Sequence, residues 1–262
     1  MTDPIQPSSP ARWYDLSGRT ALVIGASRGL GHASALALAE AGADVVCAAR
    51  TEHDVAETAA QVTARGRRSR AIVVDASDET ALAACVSEAH TFGALNVLVY
   101  AAGVQHAAPA LTTTTEDWDR VLKINLSGGL VAAREAGRYM KASGGRMIFF
   151  GTAFVDCVLP LTVAYGVSKA GLHQMVKSLA LEWARYKITV NAVAPGYFDT
   201  DMPKAMLGDP ELRQRVLGRI PLRRVGEPNE IGPLVTYLAS DASAFMTGTI
   251  LRIDGGQSLN VS

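Results

Sequence analysis

The chain has 262 residues, 48% of them hydrophobic, and its 25 Lys and Arg balance its 25 Asp and Glu. That length suits one large α/β domain or two small ones, and a neutral chain has no net field to gather nucleic acid or an anionic membrane. No apolar run reaches the ~18 residues of a membrane span, and three widely spaced cysteines, Cys47, Cys85 and Cys157, form neither a metal-ligand pattern nor a disulfide framework.

The opening MTDPIQPSSPARWYDL is rich in Pro and Ser and has no apolar core, so neither a signal peptide nor a membrane anchor is expected. Residues 1–15 are read as a flexible arm and 16–262 as one domain of a soluble cytoplasmic protein with reduced thiols. Residues 20–25 (TALVIG) read as a short buried strand, followed by a Gly-rich turn and a helix over 30–41 that stops at Gly42. Residues 44–49 form a second strand, 52–64 a helix stopped at Gly66, and 71–74 a third strand. A helix over 79–92, with Asp78 as its N-cap, leads to a fourth strand at 95–100. A helical stretch follows over 116–140, interrupted near 125–129, then a strand at 146–150. A long helix begins at Tyr165 and runs to about 186, with a strand at 189–193 after it. A polar segment over 200–219, a helix over 227–239 and a last strand near 250–253 complete the chain. Near-continuous apolar strands alternating with helices predict a parallel sheet of about seven strands covered on both faces, a single doubly wound α/β domain of the Rossmann type.

The first strand-to-helix turn reads Gly25-Ala26-Ser27-Arg28-Gly29-Leu30-Gly31. Glycines permit a tight turn and close backbone approach, and the helix N-terminus offers free N–H groups to a pyrophosphate. The spacing is G-x-x-x-G-x-G, and the same glycines would also serve as packing punctuation. The second strand ends Ala49-Arg50 with no acidic residue, whereas an acidic residue there would favour the ribose of NAD. Arg28 and Arg50 would instead reach the 2′-phosphate of NADP, for which guanidinium is the better-matched group; the alternative is two solvated arginines.

Tyr165 and Lys169, in Tyr165-Gly166-Val167-Ser168-Lys169, are four apart and share a helix face. Moving a tyrosine from ~10 to roughly 7 takes about 4 kcal/mol of preference for the phenolate. A unit positive charge about 4 Å away supplies around that much at an effective dielectric near 20. The pair alone is also what an ordinary surface helix shows by chance.

Taken in order, GASRGLG, Asp75, Ala101-Ala102-Gly103, Asn125, YGVSK and Pro195-Gly196 resemble the short-chain dehydrogenase/reductase family over about residues 16–256. The resemblance implies an NADP(H)-dependent oxidoreductase, a carbonyl reductase or alcohol dehydrogenase, that interconverts a ketone and a secondary alcohol. It implies that Asp75 and Ala76 contact the adenine and that Ala101, Ala102 and Gly103 line the floor beneath the cofactor. Pro195, Gly196, Phe198 and Thr200 would hold the nicotinamide carboxamide. Tyr165 would be the acid/base, Lys169 would hold the nicotinamide ribose and lower the tyrosine pKa, and Asn125 would anchor a proton-relay water. Three departures stand out. Ile24 replaces the family's Thr before the turn, Tyr100-Ala101 replaces the paired asparagines after the fourth strand, and Thr152 replaces the catalytic serine thirteen residues before Tyr165. A threonine hydroxyl still donates to a carbonyl oxygen, while its methyl narrows the pocket. In carbonyl reduction Tyr165 would donate the proton while Thr152 holds the oxygen.

Substrate walls are expected from 104–106, from Ala153 to Leu159, from Tyr197 and from a lid over about 200–217 carrying Met202 and Met206. Phe154, Val155, Cys157 and Leu159 suit an apolar pocket and equally a core or subunit contact. His106 reads as a substrate contact or as a solvated loop residue. Arg134, Arg138, Lys141 and Arg146 read as a basic patch for an acyl carrier or as a solvated helix face. The runs PGYFDTDM and PLRRVGEPNE resemble the branch with gluconate-type dehydrogenases and 3-oxoacyl-carrier-protein reductases. Reduction of a 3-oxoacyl thioester on acyl carrier protein or CoA is therefore the alternative activity, and a cofactor-binding protein without catalysis the alternative of another class. Apolar and small residues around the helices at 116–140 and 170–186 exceed what one sheet face needs, and the resemblance implies a homotetramer built as a dimer of dimers.

Overall fold

Alternating apolar strands and helices wind into a seven-stranded parallel sheet of order β3-β2-β1-β4-β5-β6-β7 in a computed structural model that describes residues 10–201 and 208–259. The strands are β1 Thr20–Ile24, β2 Asp44–Ala49, β3 Ser69–Val73, β4 Leu95–Tyr100, β5 Gly145–Phe150, β6 Ile188–Pro195 and β7 Ile250–Ile253. The helices are α1 Pro10–Trp13, α2 Gly29–Glu40, α3 Glu52–Ala64, α4 Glu79–Phe92, α5 Thr115–Leu122, α6 Gly128–Met140, α7 Val163–Trp183, α8 Pro210–Arg219 and α9 Gly232–Ala239. A period of two sends alternate side chains of each strand to opposite faces. Leu22, Ile24, Val46, Leu98, Tyr100, Met147 and Phe149 pack with α4, α6 and α7 on one face. Ala21, Val23, Val45, Cys47, Val97, Val99, Ile148 and Phe150 pack with α2, α3 and α9 on the other. Both faces are covered, which is why the central strands read as unbroken apolar runs.

The chain winds outward through β2 and β3, then returns to place β4 on the other side of β1. At that switch point the strand order reverses, the place at the C-terminal strand ends where doubly wound sheets bind ligands. Most predicted elements fall within a residue or two of their expected bounds. Asp78 caps α4 through Ala81 N–H at 2.9 Å. Four differences matter. The helix expected over 116–140 is not broken near 125–129 but wound into a π-helical turn at Lys123–Ser127 between α5 and α6. β6 runs on to Pro195, because its neighbours β5 and β7 pair with it on both sides. The segment 200–219 contains α8, capped by Asp209 through Glu211 and Leu212 N–H groups. The expected flexible arm carries the helical turn α1, and the Tyr14 ring lies 6.4 Å from that of Tyr237 on α9.

Candidate active site

The turn between β1 and α2 is shaped by close backbone approach. Gly25 has φ +91°, and a Cβ there would stand 2.6 Å from the Ala102 nitrogen. A Cβ on Gly31 would overlap the Gly25 carbonyl, so two of the three predicted glycines hold α2 against the strand ends. Gly25 N–H and Ala26 N–H both donate to Ala48 O, at 2.8 and 3.1 Å, and Ala101 N–H donates to Ile24 O at 2.8 Å. These bonds bring Ala101–Gly103 beside the turn. Arg28 is the N-cap of α2 but makes no capping bond, and the first turn of α2 carries no acidic residue. The N–H groups of that turn therefore have no side-chain acceptor of their own, which fits an anionic pyrophosphate.

Ser27 is half-buried in the turn and Leu30 O accepts from the Ser34 hydroxyl at 2.6 Å. Arg50 is exposed at the end of β2. Hydrogen bonds from Ser77 N–H and hydroxyl, each at 2.8 Å, hold the Asp75 carboxylate below its usual range, helped by the charges of Arg50 and Lys123. Ala76 is buried beside it. Arg28 pairs with Asp201 at 3.6 Å, across the turn from Thr200, whose methyl would stand 3.3 Å from a Cβ on Gly29. Arg28 and Arg50 are both exposed, the first at the glycine turn and the second at the end of β2.

At the other end, four elements converge. Asn125, carried by the π-turn, is fully buried. Its Oδ1 accepts from Val104 N–H at 2.8 Å, and its Nδ2 donates to Val104 O and to Ser168 Oγ, both at 2.9 Å. Ser168 in turn donates to the Tyr165 carbonyl at 2.7 Å. Gly103 closes the gap: a Cβ there would stand 3.4 Å from Asn125 Oδ1 and 3.5 Å from Lys169 Nζ. Lys169 is buried and donates to the Phe150 carbonyl at 2.6 Å. Thr152, also buried, follows β5 in an extended conformation, φ −161° and ψ 146°. Its hydroxyl accepts from Phe154 N–H at 3.3 Å and lies near enough to the Tyr165 phenol to act on its titration. The predicted quartet of Thr152, Tyr165, Lys169 and Asn125 is therefore brought together around the ends of β4 and β5.

The electrostatics differ from the expectation drawn from the Tyr165–Lys169 spacing. Burial pushes the Tyr165 phenol up, while the nearby Thr152 hydroxyl opposes the rise. Lys169 Nζ lies over the tyrosine ring, 6.0 Å from its centroid. Burial lowers Lys169 itself to about 8. Near neutral pH both groups hold their protons.

Gly196 continues from β6 with its N–H donating to Ile253 O at 3.0 Å, and a Cβ there would stand 2.7 Å from that of Asp254. Phe198, expected beside the carboxamide, has its ring buried against Gly226 in the core face shared with α9. It thereby anchors the strand end through packing. At the mouth, Phe154 and Tyr197 make an edge-to-face pair with centroids 5.0 Å apart. Leu159 is half-buried and its carbonyl accepts from the Thr162 hydroxyl at 2.8 Å. Met202 and Met206 lie outside the described residues, as does the stretch 202–207 of the expected lid. His106 pairs with Asp117 at 3.5 Å. Arg134 and Arg138 both pair with Glu135, and Arg146 pairs with Asp241, so these arginines do not form one basic patch. No group of three or more metal-binding side chains occurs among the described residues.

Two site residues escaped sequence reasoning. Ser168 bridges Asn125 to Tyr165, and its place immediately before Lys169 was the available signal. His173 accepts from Thr152 N–H at 3.5 Å, and a Cβ on Gly151 would overlap its ring. Its signal was the i+4 spacing from Lys169, one further turn along the same helix face.

Known proteins are similar to this chain along nearly its whole length. A family model described as enoyl-(acyl carrier protein) reductase matches residues 25–258. A 2-dehydro-3-deoxy-D-gluconate 5-dehydrogenase of Pseudoalteromonas atlantica is 38% identical over 246 residues, 93% of this chain and 97% of that protein. A short-chain type dehydrogenase/reductase of Picea abies is 36% identical over 253 residues, 92% and 93% of the two chains. The crystal structure of a gluconate 5-dehydrogenase from Burkholderia cenocepacia in complex with NADP and tartrate superposes with a TM-score of 0.92 at 32% identity, covering 96% of this chain and 99% of that one. With its seven-stranded parallel sheet and its glycine turn at the switch point, the chain belongs to the short-chain dehydrogenase/reductase family.

Proposed function

We infer that the protein is an NADP(H)-dependent oxidoreductase that interconverts a ketone and a secondary alcohol, with Tyr165 as acid/base. The observation that carries this reading is the convergence of buried Thr152, Tyr165, Lys169 and Asn125 at the ends of β4 and β5, beside the glycine turn. A nicotinamide bound there supplies or accepts the hydride. Thr152 accepts from Phe154 N–H, which leaves its own proton to donate to a substrate oxygen as negative charge develops on it. Tyr165 is buried and protonated near neutrality, the state needed to donate a proton in carbonyl reduction. Lys169 keeps a positive charge below about pH 8 and steadies the phenolate that remains. Asn125 fixes the loop after β4 to α7 through Val104 and Ser168. Arg28 and Arg50 favour the 2′-phosphate of NADP.

The gluconate-type relatives support polyhydroxy acids as the substrate class, with Phe154, Leu159, Tyr197 and a lid over 200–217 as its walls. The assembly we assign is a homotetramer, supported by exposed Leu130 on α6 and Val167 and Leu181 on α7. The compartment we assign is the cytoplasm, in keeping with three free cysteines, and the domain we assign is 16–262. The deciding experiment follows NADPH oxidation with a panel of 5-keto-D-gluconate, ethyl acetoacetate and acetoacetyl-CoA. Turnover of a ketone, abolished by Tyr165→Phe, is expected; turnover of the thioester alone would instead select the acyl-thioester reading. Light scattering at micromolar concentration would overturn the assembly if it gave a monomer.

A further inference from the structure

Where the family places the first of its paired asparagines, this chain has Tyr100, the last residue of β4. The ring is fully buried between the sheet and α6, tilted against Phe149 with centroids 6.2 Å apart. Its hydroxyl donates to the Ile124 carbonyl at 2.6 Å. That carbonyl lies in the π-turn, and the turn explains why it needs a donor. In an α-helix Gly128 N–H would serve Ile124; here it reaches back five residues to the Lys123 carbonyl. The bonding pattern of the turn is completed from outside the helix.

Gly128 is the second half of the device. A Cβ there would stand 2.5 Å from the Tyr100 hydroxyl oxygen and 2.5 Å from the Ala76 carbonyl. Only a residue without a side chain lets the phenol reach Ile124. The residue following Ile124 is Asn125, whose amide is committed on both sides to Val104 and Ser168, with Ser168 bonded to the Tyr165 carbonyl. A continuous buried path thus runs from the Tyr100 hydroxyl through the π-turn to the backbone of the acid/base.

We propose that Tyr100 is a positioning residue for the reaction: its hydroxyl, admitted by Gly128, sets the π-turn that aims Asn125 at Val104 and Ser168. The proposal rests on the reading of Tyr165 as the acid/base and deepens it. Tyr100 replaces the bracing lost with the family's asparagine by bracing the helix instead of the neighbouring strand. It touches neither substrate nor cofactor, so its removal acts on kcat and leaves cofactor binding alone.

The test compares Tyr100→Phe, Tyr100→4-aminophenylalanine and Tyr165→Phe, using NADPH and the fastest ketone of the panel above. Tyr100→Phe is expected to lower kcat roughly tenfold or more, with the NADPH Kd from fluorescence titration within about twofold of wild type. The 4-aminophenylalanine protein keeps a donor in place and is expected to recover most of kcat. A Tyr100→Phe protein with wild-type kcat, or one that does not fold, overturns the proposal, the latter because the hydroxyl would then support the fold and not the site. An aminophenylalanine protein that fails to fold or is as slow as the phenylalanine protein overturns it as well. Tyr165→Phe separates the two readings. If it is inactive while Tyr100→Phe is unimpaired, only this proposal is lost; if it turns over like wild type, or no ketone is reduced, the acid/base reading fails and this one with it.

Discussion

The Lys169 ammonium donates to the Phe150 carbonyl at 2.6 Å from a position 4% exposed to solvent. A neutral acceptor offsets only part of the cost of burying a charge, and burial alone lowers the lysine to about 8. From about 8 to 10.5 the unfolded chain carries a proton the folded one has released. Stability therefore rises with pH across that window, and below it the penalty is complete. A shift of this size corresponds to roughly 3 kcal/mol, against about 1–3 kcal/mol for an orphaned carbonyl.

Lys169→Met is accordingly expected to leave the cofactor-free protein at least as stable as wild type at pH 7 while removing most of kcat. Its stability should also lose the rise between pH 8 and 10.5. Urea unfolding at pH 7, 8.5 and 10, paired with steady-state rates, checks both; a mutant clearly less stable at pH 7 would show that the lysine is not a burial burden.

On the proposed function Thr152 acts through its hydroxyl and not through its methyl. Thr152→Ser is expected to keep kcat/KM within about threefold, whereas Thr152→Val, equal in shape but without the hydroxyl, loses about a hundredfold or more. Steady-state kinetics on a single ketone decide the matter. A valine variant as active as wild type would leave Thr152 with no part in the chemistry.

His173 is buried beside Lys169, and burial, reinforced by the Lys169 charge, lowers it to about 4. Between 6.5 and 4 the unfolded chain binds a proton that the folded one refuses. Stability is full above pH 6.5 and falls as pH drops, by up to about 1.4 kcal/mol per unit. Asp156, Lys169 and Lys177 are the other charges that act on it. His173→Gln keeps an acceptor for Thr152 N–H and cannot protonate, so its stability should fall less than that of wild type between pH 7 and 5. Parallel acid-limb slopes by urea unfolding would count against the histidine as their source.

On the proposed function Arg28, paired with Asp201, and Arg50, whose charge acts on Asp75, receive the 2′-phosphate of NADP. Arg28→Ala and Arg50→Ala should each raise KM for NADPH roughly tenfold and leave that for NADH within about twofold, since charge-assisted contacts to a phosphate carry about 1.5–3 kcal/mol. Cofactor titrations at two salt concentrations test this, because the NADPH effect should shrink at high salt.

What the sequence determined by itself are the features whose cause is local. Strands buried on both faces must be apolar throughout, so β1, β2, β4 and β5 were legible as runs, and the turn after β1 as a glycine pattern. Tyr165 and Lys169 share a face because helix geometry requires it. The tertiary structure decided everything that depends on which strand end meets which helix. It set Thr152 against Tyr165 and His173, sent the Phe198 ring into the core, gave Asn125 its partners and wound 123–127 as a π-turn completed by Tyr100. None of these follows from a period or a propensity. Each is a contact between residues far apart in the chain, created only when β4 pairs between β1 and β5 and α7 lies across their ends.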